Sequence, residues 1–142
     1  MRIKIPAVVA LVFGIVALLN TGCTQEPAKY DYGLSIAGGP TGWPVWVEDL
    51  TFDGSWGAPI GSLRAGFDQR PPGGAMVAMS PKPVPENIEA YWFSYRTQTF
   101  YRINLTLPGD LEQQIKGWYE KYPLPTYRHY LILGFSGKGE AL

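Results

Sequence analysis

Side chains that carry chemistry are scarce in this chain of 142 residues, which has one cysteine, Cys23, and one histidine, His129. A single cysteine excludes an intramolecular disulfide, and one cysteine with one histidine cannot supply the four ligands of an ordinary structural zinc site. A Ser-His-acid set would have to use His129. The only suggestive serine lies in Gly134-Phe135-Ser136-Gly137-Lys138-Gly139, where Lys138 stands in place of the second glycine of a nucleophile elbow. That segment also lacks the Gly-Lys-Ser/Thr ending of a phosphate loop, so it reads as a turn after a strand. The alternating oxygen ligands of a calcium loop are missing. Glu48, Asp49 and Asp53 are close in sequence, but a solvated turn accounts for them, and nothing sets them across a cleft as glycoside hydrolysis requires. Charge is sparse and balanced, with 12 Lys and Arg against 12 Asp and Glu. Without a basic cluster, nucleic acid is not an expected partner. No catalytic group, metal or cofactor is expected.

The N-terminus holds what the rest of the chain lacks, a long apolar run. Arg2 and Lys4 precede residues 5–19, which are uncharged and almost wholly apolar. The run falls short of the roughly twenty residues of a comfortable membrane span and fits an export signal. Thr21-Gly22-Cys23 then places small residues before the cysteine. This resembles the lipobox of bacterial lipoproteins, although Asn20 stands where leucine is usual and the leucine, Leu19, comes one place earlier. The resemblance implies removal of residues 1–22 as a lipoprotein signal peptide and acylation of Cys23, with palmitate among the attached chains. A lone cysteine in an oxidising compartment otherwise lacks a partner. Thr24, rather than aspartate, follows the cysteine, so the expected location is the outer membrane, lipid-anchored and facing the periplasm. Cleavage removes two basic charges and no acidic one, leaving a net charge near −2. Residues 23–29 read as a tether and residues 30–142 as one β-rich domain, long enough to bury a core without staples.

Within that domain, aromatic β-prone runs at residues 91–95 and 100–105 flank Arg96-Thr97-Gln98-Thr99, the pattern of a hairpin. After Leu107-Pro108-Gly109 the period changes. Leu111, Ile115, Trp118, Tyr119 and Tyr122 form one face of a helix over 110–122, with Trp118 turned inward, and Asp110 and Gln113 positioned for a capping box. Further strands are expected at 30–36, at 43–47, weakly at 60–67, at 75–79 and at 127–135. Pro44 marks the 43–47 strand as an edge or a bulge. Residues 52–61 read as a loop, residues 75–79 as a strand buried on both faces, and residues 81–85 as polyproline II. With 13 prolines and 17 glycines there is room for one good helix. The expected class is α+β: a mostly antiparallel, sandwich-like β-structure with one packed helix near 110–122.

Pro85-Glu86-Asn87-Ile88-Glu89-Ala90-Tyr91-Trp92-Phe93-Ser94, then Gln98-Thr99-Phe100-Tyr101 and Leu105-Thr106-Leu107-Pro108, resemble an uncharacterised bacterial lipoprotein family catalogued as domain of unknown function 2931. Tyr130-Leu131-Ile132-Leu133-Gly134 would be its closing strand. The pattern would continue into another tryptophan-bearing strand after Gly139, so the chain reads as a shortened copy. The resemblance carries no established activity. Some lipoproteins that look like this one are thought to be immunity partners of phospholipase toxins delivered by type VI secretion.

The aromatic surplus is the remaining signal. Alternation sends Tyr91, Phe93 and Tyr95 to one face of the hairpin and Ile88, Ala90 and Trp92 to the other. The simplest expectation is a two-layer sandwich that buries both faces. If one stays open, its aromatics and arginines have the composition of a protein-binding hot spot. Tyr95, Arg96 and Arg102 are the candidate partner-binding residues. The expected function is thus that of a non-enzymatic envelope lipoprotein binding a protein partner in the periplasm. An envelope-structural or glycan-binding lipoprotein is the alternative, and a hydrolase comes third.

Overall fold

Alternation of buried and outward side chains is clearest over Asn87–Ser94 in the computed structural model, which describes residues 26–142. The expected signal peptide, Cys23 and the start of the tether lie outside the described residues. In chain order the elements are β1 (Gly33–Gly39), β2 (Val45–Phe52), β3 (Trp56–Gly57), β4 (Gly61–Leu63), β5 (Ala75–Val77), β6 (Asn87–Ser94), β7 (Thr99–Thr106), α1 (Leu111–Lys121) and β8 (Tyr130–Ser136). They make two sheets, mostly antiparallel, and a single helix among the described residues, which is the expected class. The larger sheet runs β3-β2-β6-β7, with β4 also on β2; the smaller runs β5-β1-β8. One pairing is parallel and was not legible: β1 lies along β8, from Gly33 beside Tyr130 to Gly39 beside Ser136.

The core lies between the sheets. Val45, Val47, Leu50 and Phe52 of β2 and Ile88, Ala90 and Trp92 of β6 pack with Leu34 and Ile36 of β1 and Leu133 and Phe135 of β8. Trp92 is fully enclosed, 5.2 Å from the Phe135 ring and 5.6 Å from the Tyr101 ring. Its indole N–H donates to the Ser136 carbonyl at 2.9 Å, so the one polar atom of the ring is satisfied. The sheets close tightly at one end, where a Cβ on Gly38 would stand 2.5 Å from the Leu63 Cβ and 2.8 Å from a Val45 methyl.

Several expectations change. Pro44 does not make β2 an edge; the strand begins one residue later, runs eight residues and lies inside the larger sheet. The proline costs no ladder bond there, and its carbonyl accepts the Tyr95 N–H at 3.2 Å. Glu48 is the extra residue of a bulge between Val47 and Asp49, so the three acids belong to a strand and its hairpin end rather than to one turn. The expected loop over 52–61 contains β3, held by stacking of Trp56 on Phe52 at 4.1 Å. β5 is an edge strand with Met76 exposed, not a strand buried on both faces. A five-residue apolar run cannot distinguish the two.

The helix departs furthest. α1 has no fully buried residue; Leu111, Ile115 and Tyr119 are half-buried, and Trp118 is 47% exposed rather than turned inward. Asp110 makes no side-chain cap and instead accepts from Gln114 Nε2 at 3.0 Å. The helix is held by polar and aromatic contacts. Tyr30 Oη donates to Glu112 at 3.1 Å, Tyr119 Oη donates to the Asp31 carbonyl, and the Tyr119 and His129 rings stack at 4.2 Å. Under α1 remains an apolar cavity of about 250 Å³, bordered by Tyr32, Val84, Ile115, Trp118 and Leu131.

Candidate functional site

The outer face of the larger sheet is not covered by another layer among the described residues. β6 turns Ile88, Ala90, Trp92 and Ser94 inward, which leaves Glu89, Tyr91 and Phe93 outward, with Tyr95 following. Register places Trp46 of β2 beside Phe93, and Phe93 beside Phe100 of β7. The result is a continuous row of rings. Phe100 stacks on Tyr91 with centroids 5.0 Å apart and meets Phe93 at 4.8 Å; Tyr95 stands edge-on to Phe93 at 5.5 Å. Phe100 remains 54% exposed, and Trp46 and Tyr95 are exposed as well. The expectation that both hairpin faces are buried is therefore overturned, because the smaller sheet covers only the inner one.

Arg102 lies opposite Tyr91 in the ladder, its Cζ 5.3 Å from the ring centre. Along the strand the same face then becomes polar, with Asn104 donating to Glu89 at 3.3 Å and Thr106 to Asn87 at 3.0 Å. One half of the face is thus aromatic with a cation at its border, and the other half is a ladder of polar pairs. Trp46 Nε1 donates to Glu48 at 2.6 Å, which fixes the indole at the edge of the row.

Two of the three residues singled out from sequence, Tyr95 and Arg102, border this row. Arg96 does not. It turns toward the end of the sandwich, where its Cζ stands 4.3 Å from the Trp43 ring and Lys138 Nζ approaches the same ring at 5.3 Å. Arg96 stands in the turn past the end of β6, where strand alternation no longer holds a side chain on the outer face. Sequence reasoning missed Trp46 and Phe100. Phe100 was legible as the outward residue of the second strand, whereas Trp46 needed the β2–β6 register, which a bulge shifts.

The residues weighed for catalysis are placed elsewhere. Ser136 is fully buried, and its hydroxyl accepts the Lys138 N–H at 2.9 Å. His129 has its ring on Tyr119 and its Nε2 2.8 Å from the Tyr122 carbonyl. Burial pushes the Tyr30, Tyr32 and Tyr119 hydroxyls above the ordinary tyrosine value, with negative charge at Glu112, Asp53 and Asp31 adding to the shift in turn. All three are engaged in holding the helix side of the fold: Tyr32 Oη donates to the Pro83 carbonyl at 2.8 Å. Among the described residues no group of three His, Cys, Asp or Glu side chains is placed to hold a metal ion.

A family model described as protein of unknown function (DUF2931) matches residues 20–141. The chain belongs to this family. Comparisons with curated proteins and with solved structures give no match. In this DUF2931 member the Trp-x-Ser core of β6 is structural: Trp92 and Ser94 are both fully buried, and the Ser94 hydroxyl accepts the Thr97 N–H at 3.4 Å to close the hairpin turn. The Phe-Tyr pair of β7 divides between the faces, with Tyr101 packed against the core and Phe100 on the open row.

Proposed function

We propose that this DUF2931 chain is an envelope lipoprotein, held in the outer membrane through an acylated Cys23, that acts by binding a protein partner in the periplasm. The observation that supports this reading best is the open row of Trp46, Tyr91, Phe93, Tyr95 and Phe100 with Arg102 at its border. Aromatics and arginine dominate protein interfaces. Here they stand on a sheet, already ordered, so docking costs little conformational entropy. The family resemblance nominates a secreted phospholipase toxin as the partner, which this chain would neutralise as an immunity protein.

Two measurements test this. Cells fed labelled palmitate should label the wild-type chain and not Cys23→Ser; an unlabelled wild-type chain removes the anchor. A catalytically inactivated phospholipase toxin titrated into wild-type, Phe100→Ala and Arg102→Ala chains should bind the first and lose at least tenfold in affinity with each variant. Equal binding by all three removes the aromatic row as the docking face, and retention of the chain on cell-wall glycan in place of the toxin turns the reading to glycan binding.

A further inference from the structure

Among the described residues, every long sheet edge but one is shortened or covered. Opposite β7, the larger sheet ends in β3 and β4, of two and three residues. The smaller sheet ends on one side in β5, of three residues. On its other side the chain's own last residues cap β8: Gly134 and Leu142 exchange two backbone hydrogen bonds, at 2.9 and 3.0 Å, and Ser136 N–H reaches the Glu140 carbonyl at 2.8 Å. The first half of β8 borders the cavity beneath α1. β7 is different. It is eight residues long, has no bulge in its pairing with β6, holds no proline or lysine, and has no neighbour on its far side among the described residues. Proteins ordinarily protect such an edge, because its free N–H and C=O groups template another strand.

The direction of those groups follows from the ladder. Leu107 N–H bonds the Glu86 carbonyl at 2.8 Å, and Glu86 stands opposite Leu107 in the β6–β7 register. Hydrogen-bonded and non-bonded pairs alternate in an antiparallel ladder, so Leu105, Ile103, Tyr101 and Thr99 also point their backbone groups at β6. Phe100, Arg102, Asn104 and Thr106 point theirs away, into the open.

We infer that the free edge of β7 pairs antiparallel with β7 of a second copy of this chain, joining the two larger sheets into one. Of the two-fold registers these outward groups permit, the one centred on Ile103 fits best. It sets Phe100 against Thr106 of the second copy and Arg102 against Asn104 of the second copy, with each residue from 100 to 106 paired. On the inner face it sets Ile103 against its own counterpart and Tyr101 against Leu105, which is 39% exposed in the single chain. Each Arg102 then stands beside Asn104 of the other copy, one strand from that copy's Glu89, so opposite charges share the face across the junction. The register centred on Arg102 places two like charges directly opposite, which destabilises a sheet. The register centred on Asn104 leaves Phe100 unpaired. Pairing at the edge leaves the aromatic row open, so the inference does not depend on what that face binds.

Sedimentation of the full chain in non-ionic detergent and disulfide trapping in cells test it. Wild type should sediment with a protein mass of two chains. Asn104→Pro removes an outward N–H together with the side-chain bond to Glu89, and it should sediment as one copy that still melts cooperatively. Ile103→Cys should give a disulfide-linked dimer under mild oxidant above the Cys23 background of wild type, because non-bonded antiparallel pairs bring Cα atoms within disulfide range. Arg102→Cys should not. A monomeric wild type, or an Ile103→Cys chain that stays at background, overturns the inference even if Asn104→Pro fails to fold. Trapping of Arg102→Cys in place of Ile103→Cys overturns the register.

Discussion

Trp92 donates its indole N–H to the main-chain oxygen of Ser136 at 2.9 Å, and that bond crosses from the larger sheet to the smaller one. Trp92→Ala should cost about 3–5 kcal/mol, as truncation of a buried aromatic usually does. Trp92→Phe keeps most of the packing and loses the donor. The Ser136 carbonyl retains the Gly139 N–H at 3.2 Å, so the loss from the bond itself should be near the lower end of about 1–3 kcal/mol. Denaturant unfolding reads both, and a Trp92→Phe midpoint equal to wild type would show that the bond contributes nothing.

The helix should behave as a weakly attached element. Trp118→Ala is expected to change stability by less than about 1 kcal/mol, in the range of surface substitutions. Tyr119→Ala should cost more, because it removes the stack on His129 and the hydrogen bond to Asp31. Hydrogen exchange should show amides of α1 opening at lower free energy than those of β6, and His129→Ala should widen the gap. Protection of α1 equal to that of β6 would contradict the loose docking.

Alkaline pH should release the same region first. Tyr30, Tyr32 and Tyr119 titrate above the usual value in the folded chain, chiefly through burial. Their neutral forms are therefore favoured by folding. The associated stability is complete below about pH 10, the unfolded value, and is lost as pH rises through the folded values. Melting temperatures measured from neutral to strongly alkaline pH should fall above pH 10, and less so in Tyr30→Phe with Tyr119→Phe. An unaltered decline in the double variant would place its origin elsewhere.

On the outer face the three residues first singled out should separate. Tyr95→Ala and Arg102→Ala are expected to weaken partner binding by about 2 kcal/mol each if they are hot spots, whereas Arg96→Ala should be close to silent. Calorimetric titration of the partner measures this, with melting curves showing that all three variants fold. Equal losses at all three would return Arg96 to the site.

The hairpin was legible because its two periods of two are strong and its turn is polar. The helix was legible as a helix but not in its docking. Leu111, Ile115 and Trp118 form a stripe in any helix with that spacing, and the stripe does not specify how closely another surface approaches it. The β2 boundaries were obscured by Glu48 and Asp49, which look like a turn and are a bulge. The β1–β8 pairing was invisible for a different reason: parallel neighbours remote in sequence leave no local pattern. The aromatic row inherits this division. Tyr91, Phe93 and Phe100 share a hairpin and could be read together, while Trp46 joins them only through a long-range register.

The parallel pairing of β1 with β8 also fixes an order of events. β1 gains its parallel neighbour only after the last strand exists, so a chain that emerges N-terminus first must wait for nearly all of itself to arrive. Until then the larger sheet has Trp92, Phe52 and Ile88 facing water, or a chaperone. The C-terminal residues 130–142 thus act as the latch of the fold. Loss of even this short stretch should leave an intermediate prone to aggregation and proteolysis, although the aromatic row, on the far side of the other sheet, would already be assembled.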